Sequence, residues 1–423
     1  MSIVIKNGHV IDPASNLSAP RDVLIIGGRI ARIDTDLSGS EVFDATDCIV
    51  CPGLVDIHVH FREPGFESKE TIATGSQAAA RGGFTSVVTM PNTEPPIDNG
   101  GMVEFINRRA RETACIKIWP AAAATKDRAG AEMTEMAELK AVGAVAVTDD
   151  GNDIASSWVL RRCLEYADMC GLTYLGHCED TSLIQNGAMN AGLNSTRLGL
   201  AGMPKAMEEI AVTRLVRLAE MTGAKVHVCH VSSAGSVEIV RWAKARGIRV
   251  TCETAPHYFT LTDDAVTTFN TNAKMNPPLR EAEDVEAIKE GLRDGTIDCI
   301  ATDHAPHTPA EKDVEFDYAP FGIVGLETSL GVVITELVEP GILTMEEAIR
   351  MMTWAPAQIL DLPAGRLEQD GPADITIFAP KEEWAVHPEA FLSRSRNTPF
   401  TGRVLRGQVK ATLCDGRFVY REA

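Results

Sequence analysis

Residues 53–62 read GLVDIHVHFR, an apolar run that ends in two histidines and an arginine at every second position. Strand side chains alternate between faces, so His58, His60 and Arg62 are expected to point the same way. A lone histidine on such a face is more often a hydrogen-bonded core residue than a ligand. Three polar groups on one buried face need partners, and this spacing suggests metal ligation beside an arginine placed for an anion. The rest of the chain has to supply the missing ligands.

Outward from this stretch, short apolar strands alternate with amphipathic helices. TSVVTMPN (85–92), CIKIWPAAAAT (115–125), AVAVTDDG (144–151), LTYLGHCED (172–180), KVHVCHVSS (225–233), RVTCETAPHYF (249–259) and DCIATDHAP (298–306) complete a set of eight strands. Most are followed by a helical pattern such as KAMEEIAVTRLVRLAEMTG (205–223). The reading is an α/β fold, a (β/α)8 TIM barrel over residues 52–362. A doubly wound sheet competes less well, because no GxGxxG or P-loop follows any strand. Residues 1–51 and 363–423 read instead as short strands and turns, and are expected to pair into one small β-sandwich. Residues 181–205, after the fifth strand, read as a mobile loop or an ordered insertion, and 313–322 as a candidate lid.

The 423-residue chain carries 40 basic and 59 acidic residues, a net charge of −19 with no basic block, which argues against nucleic-acid or acidic-membrane partners. No apolar run reaches the roughly 18 residues of a membrane helix, and no signal peptide is visible at the start. The ten cysteines are scattered through apolar segments and read as reduced core residues of a cytoplasmic protein.

Barrel active sites are built at the C-terminal ends of the strands. Seven of the ten histidines, 58, 60, 177, 230, 257, 304 and 307, fall at or just after such ends. Asn92 ends the second strand, Asp149 and Asp150 the fourth, and Asp303 the eighth. Parity separates His227 from His230: His230, nearer the strand end, is the better ligand, and His227 is expected under a helix. Four histidines and two aspartates exceed the four ligands of one zinc, and suit two ions bridged by a carboxylate and a hydroxide. On this reading His58, His60 and Asp303 hold one ion and His177 and His230 the other, with an aspartate spanning both. Imidazole and carboxylate without thiolate favour zinc, one or two ions per chain, since Cys178 and Cys229 adjoin ligands but are expected on the opposite strand face.

DIHVHFREPG (56–65), TMPNTEPP (89–96), VTDDG (147–151), GHCED (176–180), CHVSS (229–233), NPPLR (276–280), ATDHAPH (301–307) and FGIVGLET (321–328), in this order, resemble the dihydroorotase family of the amidohydrolase superfamily, bacterial class I. The likeness spans essentially the whole chain. It implies that His58, His60, Asp150, His177 and His230 are metal ligands and that Asp303 is the catalytic acid–base touching a metal. It implies that Arg62, Asn92, Asn276 and His307 hold substrate, with Phe321 and Gly322 closing over its ring. The choice of Asp150 over Asp149 comes from the resemblance alone.

The reaction so implied is zinc-dependent, reversible cyclisation of N-carbamoyl-L-aspartate to L-dihydroorotate, a step of pyrimidine (UMP) biosynthesis, on a small-molecule substrate. A homodimer is expected, with association to aspartate transcarbamoylase as a further possibility. The alternatives are a hydantoinase- or allantoinase-like cyclic amidohydrolase, and a non-catalytic partner of aspartate transcarbamoylase. The first usually lacks an arginine at position 62 and carries a lysine on the fourth strand. The second has typically lost the metal histidines that this chain keeps.

Overall fold

The computed structural model describes residues 2–422. One parallel sheet contains, in spatial order, β1 (Leu54–Val59), β2 (Phe84–Thr89), β3 (Lys117–Ala122), β4 (Ala146–Val147), β5 (Thr173–Gly176), β6 (Val226–Val228), β7 (Val250–Thr254) and β8 (Cys299–Ile300). Backbone and side-chain contacts close it into a barrel. Val59 bridges His304 in parallel, and the His60 N–H donates to the His304 carbonyl at 2.9 Å. The buried Asp56 carboxylate accepts the Thr302 N–H at 3.2 Å and its hydroxyl at 2.5 Å, tying β1 to the chain beyond β8. Both faces of a barrel strand are covered, so β1 and β2 are buried along their whole length and read as apolar runs rather than alternations.

Helices follow the strands and start where sequence caps permit. Thr71 accepts the Thr74 N–H ahead of helix Ile72–Arg81, and Asn99 the Met102 N–H ahead of Gly100–Thr113. Helix Trp354–Ile359 and the chain after it bring Ala355, Ala357, Ile359 and Leu362 against Val55, Val88, Leu175 and Cys299 inside the barrel. That apolar layer leaves the opposite, C-terminal mouth as the polar end.

The two chain ends meet in a six-stranded sheet ordered Arg417–Arg421, Val404–Cys414, Ile375–Ala385, Ile49–Pro52, His9–Asp12, Leu17–Pro20. A four-stranded sheet of N-terminal segments shares its core through Ile5, Val23, Val50, Ile375 and Leu413. Strand Ile49–Pro52 leads into β1 through Gly53, where a Cβ would fall 2.0 Å from Thr85 Oγ1, so only glycine permits this approach. Residues 181–205 are an ordered insertion. Met189–Asn190 pairs with Gly202–Met203, and the buried Arg280 guanidinium donates to Asn190 Oδ1 at 3.0 Å and to the Met203 carbonyl at 2.9 Å.

Candidate metal centre

The polar rim forms where the strands end. His58 lies on β1 with His60 just beyond it, while His177, His230 and Asp303 follow β5, β6 and β8. Arg62, His230 and Asp303 take left-handed φ values of 60°, 35° and 48°, uncommon for residues with a Cβ. Each therefore leaves the strand alternation, and such strain concentrates at functional sites.

Asp150 is the hub. Its Oδ1 lies 3.4 Å from His58 Nε2, 3.4 Å from His177 Nδ1 and 3.7 Å from His230 Nε2, and its Oδ2 lies 3.6 Å from His60 Nε2. Asp303 Oδ1 lies 3.0 Å from His60 Nε2 and 3.7 Å from His58 Nε2. Asp149 turns away, accepting the Thr125 N–H at 2.9 Å and the Thr125 hydroxyl. Two adjacent aspartates thus have separate surroundings, one a fold contact and the other the centre of the histidine cluster.

Three of the rings have their outer nitrogen occupied. His58 Nδ1 meets Glu253 Oε1 at 2.7 Å, His60 Nδ1 meets Asn92 Oδ1 at 2.8 Å, and His177 Nε2 meets Glu179 Oε2 at 3.0 Å. Those oxygens accept, so those nitrogens carry the protons, and the lone pairs of His58 Nε2, His60 Nε2 and His177 Nδ1 face the space beside Asp150. His177 Nδ1 and His230 Nε2 approach to 2.9 Å, and His58 Nε2 and Asp150 Oδ1 are buried with no hydrogen-bond partner. Crowded, buried lone pairs and anionic oxygens call for a cation at their centre. His58, His60 and Asp303 form one group with metal-ligand spacing, and His58, Asp150 and His230 another. This donor set fits a divalent ion bound by nitrogen and oxygen.

The electrostatics agree. Burial opposes charge on His58 and His177, but the carboxylates of Asp150, Glu253 and Glu179 outweigh it, holding His58 well above its ordinary value and His177 at about 10. The negative field that would keep a second proton on these rings is the field in which a metal cation takes that proton's place. Burial also opposes charge on Asp150 and Asp303, but the surrounding imidazoles hold both below the ordinary carboxylate range.

Arg62 lies beside this rim. Its Nε donates to the Pro306 carbonyl at 3.3 Å, and its guanidinium lies 3.4 Å from His307 Nε2. His307 donates to the Phe321 carbonyl at 2.8 Å, and burial with the nearby Arg62 and Lys312 charges holds its pKa far down, so it is neutral. Gly322, at φ 125°, packs where a Cβ would meet Ala305 Cβ at 2.6 Å. Asn276 Nδ2 donates to the Glu179 carboxylate and lies 3.5 Å from His177 Nε2, while its Oδ1 is buried without a partner. All twelve residues singled out from the sequence thus fall in one region at the barrel mouth. Asn92 and Asn276, expected to hold substrate, also touch the histidine rings or their partners.

A dihydroorotase of Pelotomaculum thermopropionicum is 52% identical over 424 residues, covering 100% of this chain and 99% of its own. One of Geotalea daltonii is 51% identical, covering 100% of both. The chain belongs to the dihydroorotase family. A family model described as dihydro-orotase-like matches residues 47–236, which hold β1 to β6 and most of the rim. Among solved structures, the L-hydantoinase (dihydropyrimidinase) of Arthrobacter aurescens superposes with a TM-score of 0.90 at 26% identity, covering 100% of this chain and 96% of its own. The dihydroorotase family and these hydantoinases share the barrel; identity twice as high places this chain with the former.

Within this family member, two expectations fail. His227 is not under a helix: it pairs in register with Leu175, which faces the barrel interior, and it meets Glu253 Oε2 at 3.2 Å. The left-handed φ of His230 ends the alternation after Cys229, so His227 and His230 both turn inward. Cys229, expected on the opposite strand face, lies within ligand reach of His58 and Glu253. Burial and the Glu253 charge push its thiol up to about 12, which keeps it protonated. Sequence reasoning missed Glu253 and Glu179. The signal for Glu253 was a carboxylate at interior parity within an apolar strand; for Glu179 it was the spacing of two from His177.

Proposed function

We propose that this chain catalyses the reversible interconversion of N-carbamoyl-L-aspartate and L-dihydroorotate, with zinc, one or two ions, as its metal. The observation carrying the reading is the convergence of four histidines and Asp303 around Asp150, their lone pairs aimed at one space. His58, His60, Asp150, His177, His230 and Asp303 would hold the metal. A divalent ion in such a site polarises a carbonyl and makes water a better nucleophile near neutral pH.

The chain's own residues do the rest. Arg62 pairs its guanidinium with the substrate carboxylate, a charge-assisted contact that fixes the ring. The Asn92 amide, whose oxygen is already committed to His60, offers its N–H groups to the same carboxylate. Neutral His307 and the Phe321–Gly322 segment close the far side of the pocket. In hydrolysis Asp303 takes a proton from the attacking water, the ring C–N bond breaks, and Asp303 returns that proton to the departing nitrogen. In ring closure the same carboxylate removes the proton from the carbamoyl nitrogen. Asn276, between Glu179 and the pocket, orients His177.

The reaction belongs in a reducing compartment, the cytoplasm, where ten unpaired cysteines are stable. No helix among the described residues is long and apolar enough to cross a membrane. Sizing of the purified protein, alone and mixed with aspartate transcarbamoylase, tests the homodimer and that association. The deciding experiment is metal analysis paired with dihydroorotate hydrolysis on one sample. One to two zinc per chain, with activity lost on chelation and restored by zinc, is the expected result. Zinc without turnover of dihydroorotate would overturn the substrate in favour of a hydantoin-like ring.

A further inference from the structure

Beneath the rim, a buried polar chain runs down the barrel interior. Thr251 Oγ1 lies 2.8 Å from His227 Nδ1, His227 Nε2 lies 3.2 Å from Glu253 Oε2, and Glu253 Oε1 lies 2.7 Å from His58 Nδ1. Glu253 is 1% exposed and His227 is fully buried. Both point inward, because His227 pairs with Leu175 and Glu253 with Cys299, two interior residues. A carboxylate and an imidazole inside a barrel are costly unless every polar atom finds a partner. Here each does. Thr251 donates its hydroxyl to His227 Nδ1, and His227 Nε2–H and His58 Nδ1–H both donate to Glu253.

We infer that Glu253, held in place by His227, is the positioning residue for His58: its carboxylate holds the Nδ1–H so that Nε2 faces the metal position, and its negative charge strengthens that nitrogen as a ligand. The inference rests on the metal reading above. The rival reading of these residues is a second buried metal site, since His58, Cys229 and Glu253, and also His227, Glu253 and Cys299, have ligand spacing. Both Glu253 oxygens already serve imidazole N–H groups, and the neighbouring thiols are fully buried. A ligand set with no free carboxylate oxygen does not bind an ion without breaking the chain that holds His58. His60 and His177 have their own partners in Asn92 and Glu179, so Glu253 acts on His58 alone.

Glu253→Gln is the central variant. Its amide oxygen still accepts from His58, and its amide N–H groups face His227, which can accept them after exchanging tautomers. The chain therefore keeps its hydrogen bonds while His58 loses the negative charge behind it. Partners behind a metal-binding histidine typically change affinity by about 10- to 100-fold. Zinc affinity is measured by competition with a chromophoric chelator on metal-stripped protein, with thermal melting as the check on folding. Expected are a loss of about 10-fold for Glu253→Gln and about 100-fold for Glu253→Leu, with KM for dihydroorotate at saturating zinc within about two-fold of wild type. His227→Gln weakens zinc less, and adds nothing in the Glu253→Gln background, because it acts through Glu253. If Glu253→Leu does not fold, Glu253→Gln decides. Wild-type zinc affinity in Glu253→Gln, or additive losses in the double variant, overturns the inference while leaving the metal reading intact. A wild-type chain that binds no zinc overturns both.

Discussion

The histidine rim and the pocket around Arg62 share one barrel mouth but are held by opposite means. In the rim, outer ring nitrogens are tied to side-chain oxygens of Glu253, Asn92 and Glu179. In the pocket, cations are tied to main-chain carbonyls. Arg62 donates to Pro306, Lys274 to Phe316 and Asp317, and Lys312 to Thr271, Lys274 and Pro320. On the proposed reading, carboxylates behind the rim strengthen ligands for a metal. Carbonyls behind the pocket satisfy donors without cancelling charge, which on the same reading leaves a positive field for an anionic substrate. That is how a chain with a net charge of −19 keeps a cationic pocket.

The strongest test of the difference is at the hub. Asp150→Ala removes the only carboxylate that faces all four rim histidines, leaving their lone pairs without a bridging anion. Zinc content should fall by at least one ion per chain and turnover by about 1000-fold or more. Retained zinc with retained turnover would break the claim that the rim is one unit built on Asp150. Asp303→Asn separates chemistry from ligation within the same rim. It removes the proton carrier but keeps an oxygen near His60, so turnover should fall by at least about 100-fold with zinc largely kept. Near-wild-type turnover would remove Asp303 from the acid–base role.

Arg62→Met moves the test across to the pocket. A hydrogen bond to a charged partner is worth about 1.5–3 kcal/mol, or about 10- to 100-fold in KM for dihydroorotate. Cyclic amides without the carboxylate should bind much as before. Equal losses on both substrate types would show that Arg62 does not read the anion, and the contrast between the two regions would collapse.

The same contrast explains what could be read from sequence. Rim residues are specified by type and by position at strand ends, so His58, His60, His177, His230 and Asp303 stood out before any fold was known. Parity failed where the backbone leaves the strand: His227 is interior by its register with Leu175, and the left-handed φ of 35° at His230 turns His230 inward as well, against the expected opposition of the two. A register irregularity between Asp56 and Val59, and the φ of 60° at Arg62, likewise break the simple alternation from which this region was first read. Apart from the resemblance, Asp149 and Asp150 are separable only by the contact with Thr125, which lies outside their own strand. Glu253 was hidden because one interior carboxylate looks like an error in an apolar strand until His58 and His227 are seen on either side. Of the pocket, Arg62 alone was assigned from spacing; the roles of Asn92, Asn276, His307, Phe321 and Gly322 came from the family resemblance. Carbonyl acceptors have no sequence signature, and neither Lys274 nor Lys312 sits in a pattern that marks it.

Lys312 gives the smallest and most selective test. Its ammonium is buried with no carboxylate ion pair, and it faces Lys274 and Arg62 as well as Glu311, which Lys69 holds at 2.8 Å. Burial and the Lys274 and Arg62 charges pull its pKa from 10.5 down to about 7. Between about 7 and 10.5 the unfolded chain therefore holds more protons at this position than the folded one. Stability contributed by this group rises with pH across that window, and below it the full cost of the buried charge is present. Lys312→Met removes that slope, so the difference in unfolding free energy between variant and wild type should shift in favour of wild type from pH 7 to pH 9. The effect on substrate binding runs the other way. An anion favours the charged lysine, so wild-type KM should rise as pH climbs past about 7, while the variant starts a few-fold higher and responds less. Denaturant unfolding and KM measured across this range check both signs. A variant with the wild-type slope in both would mean that the Lys312 charge is already compensated, and that the pocket is neutralised in the same way as the rim.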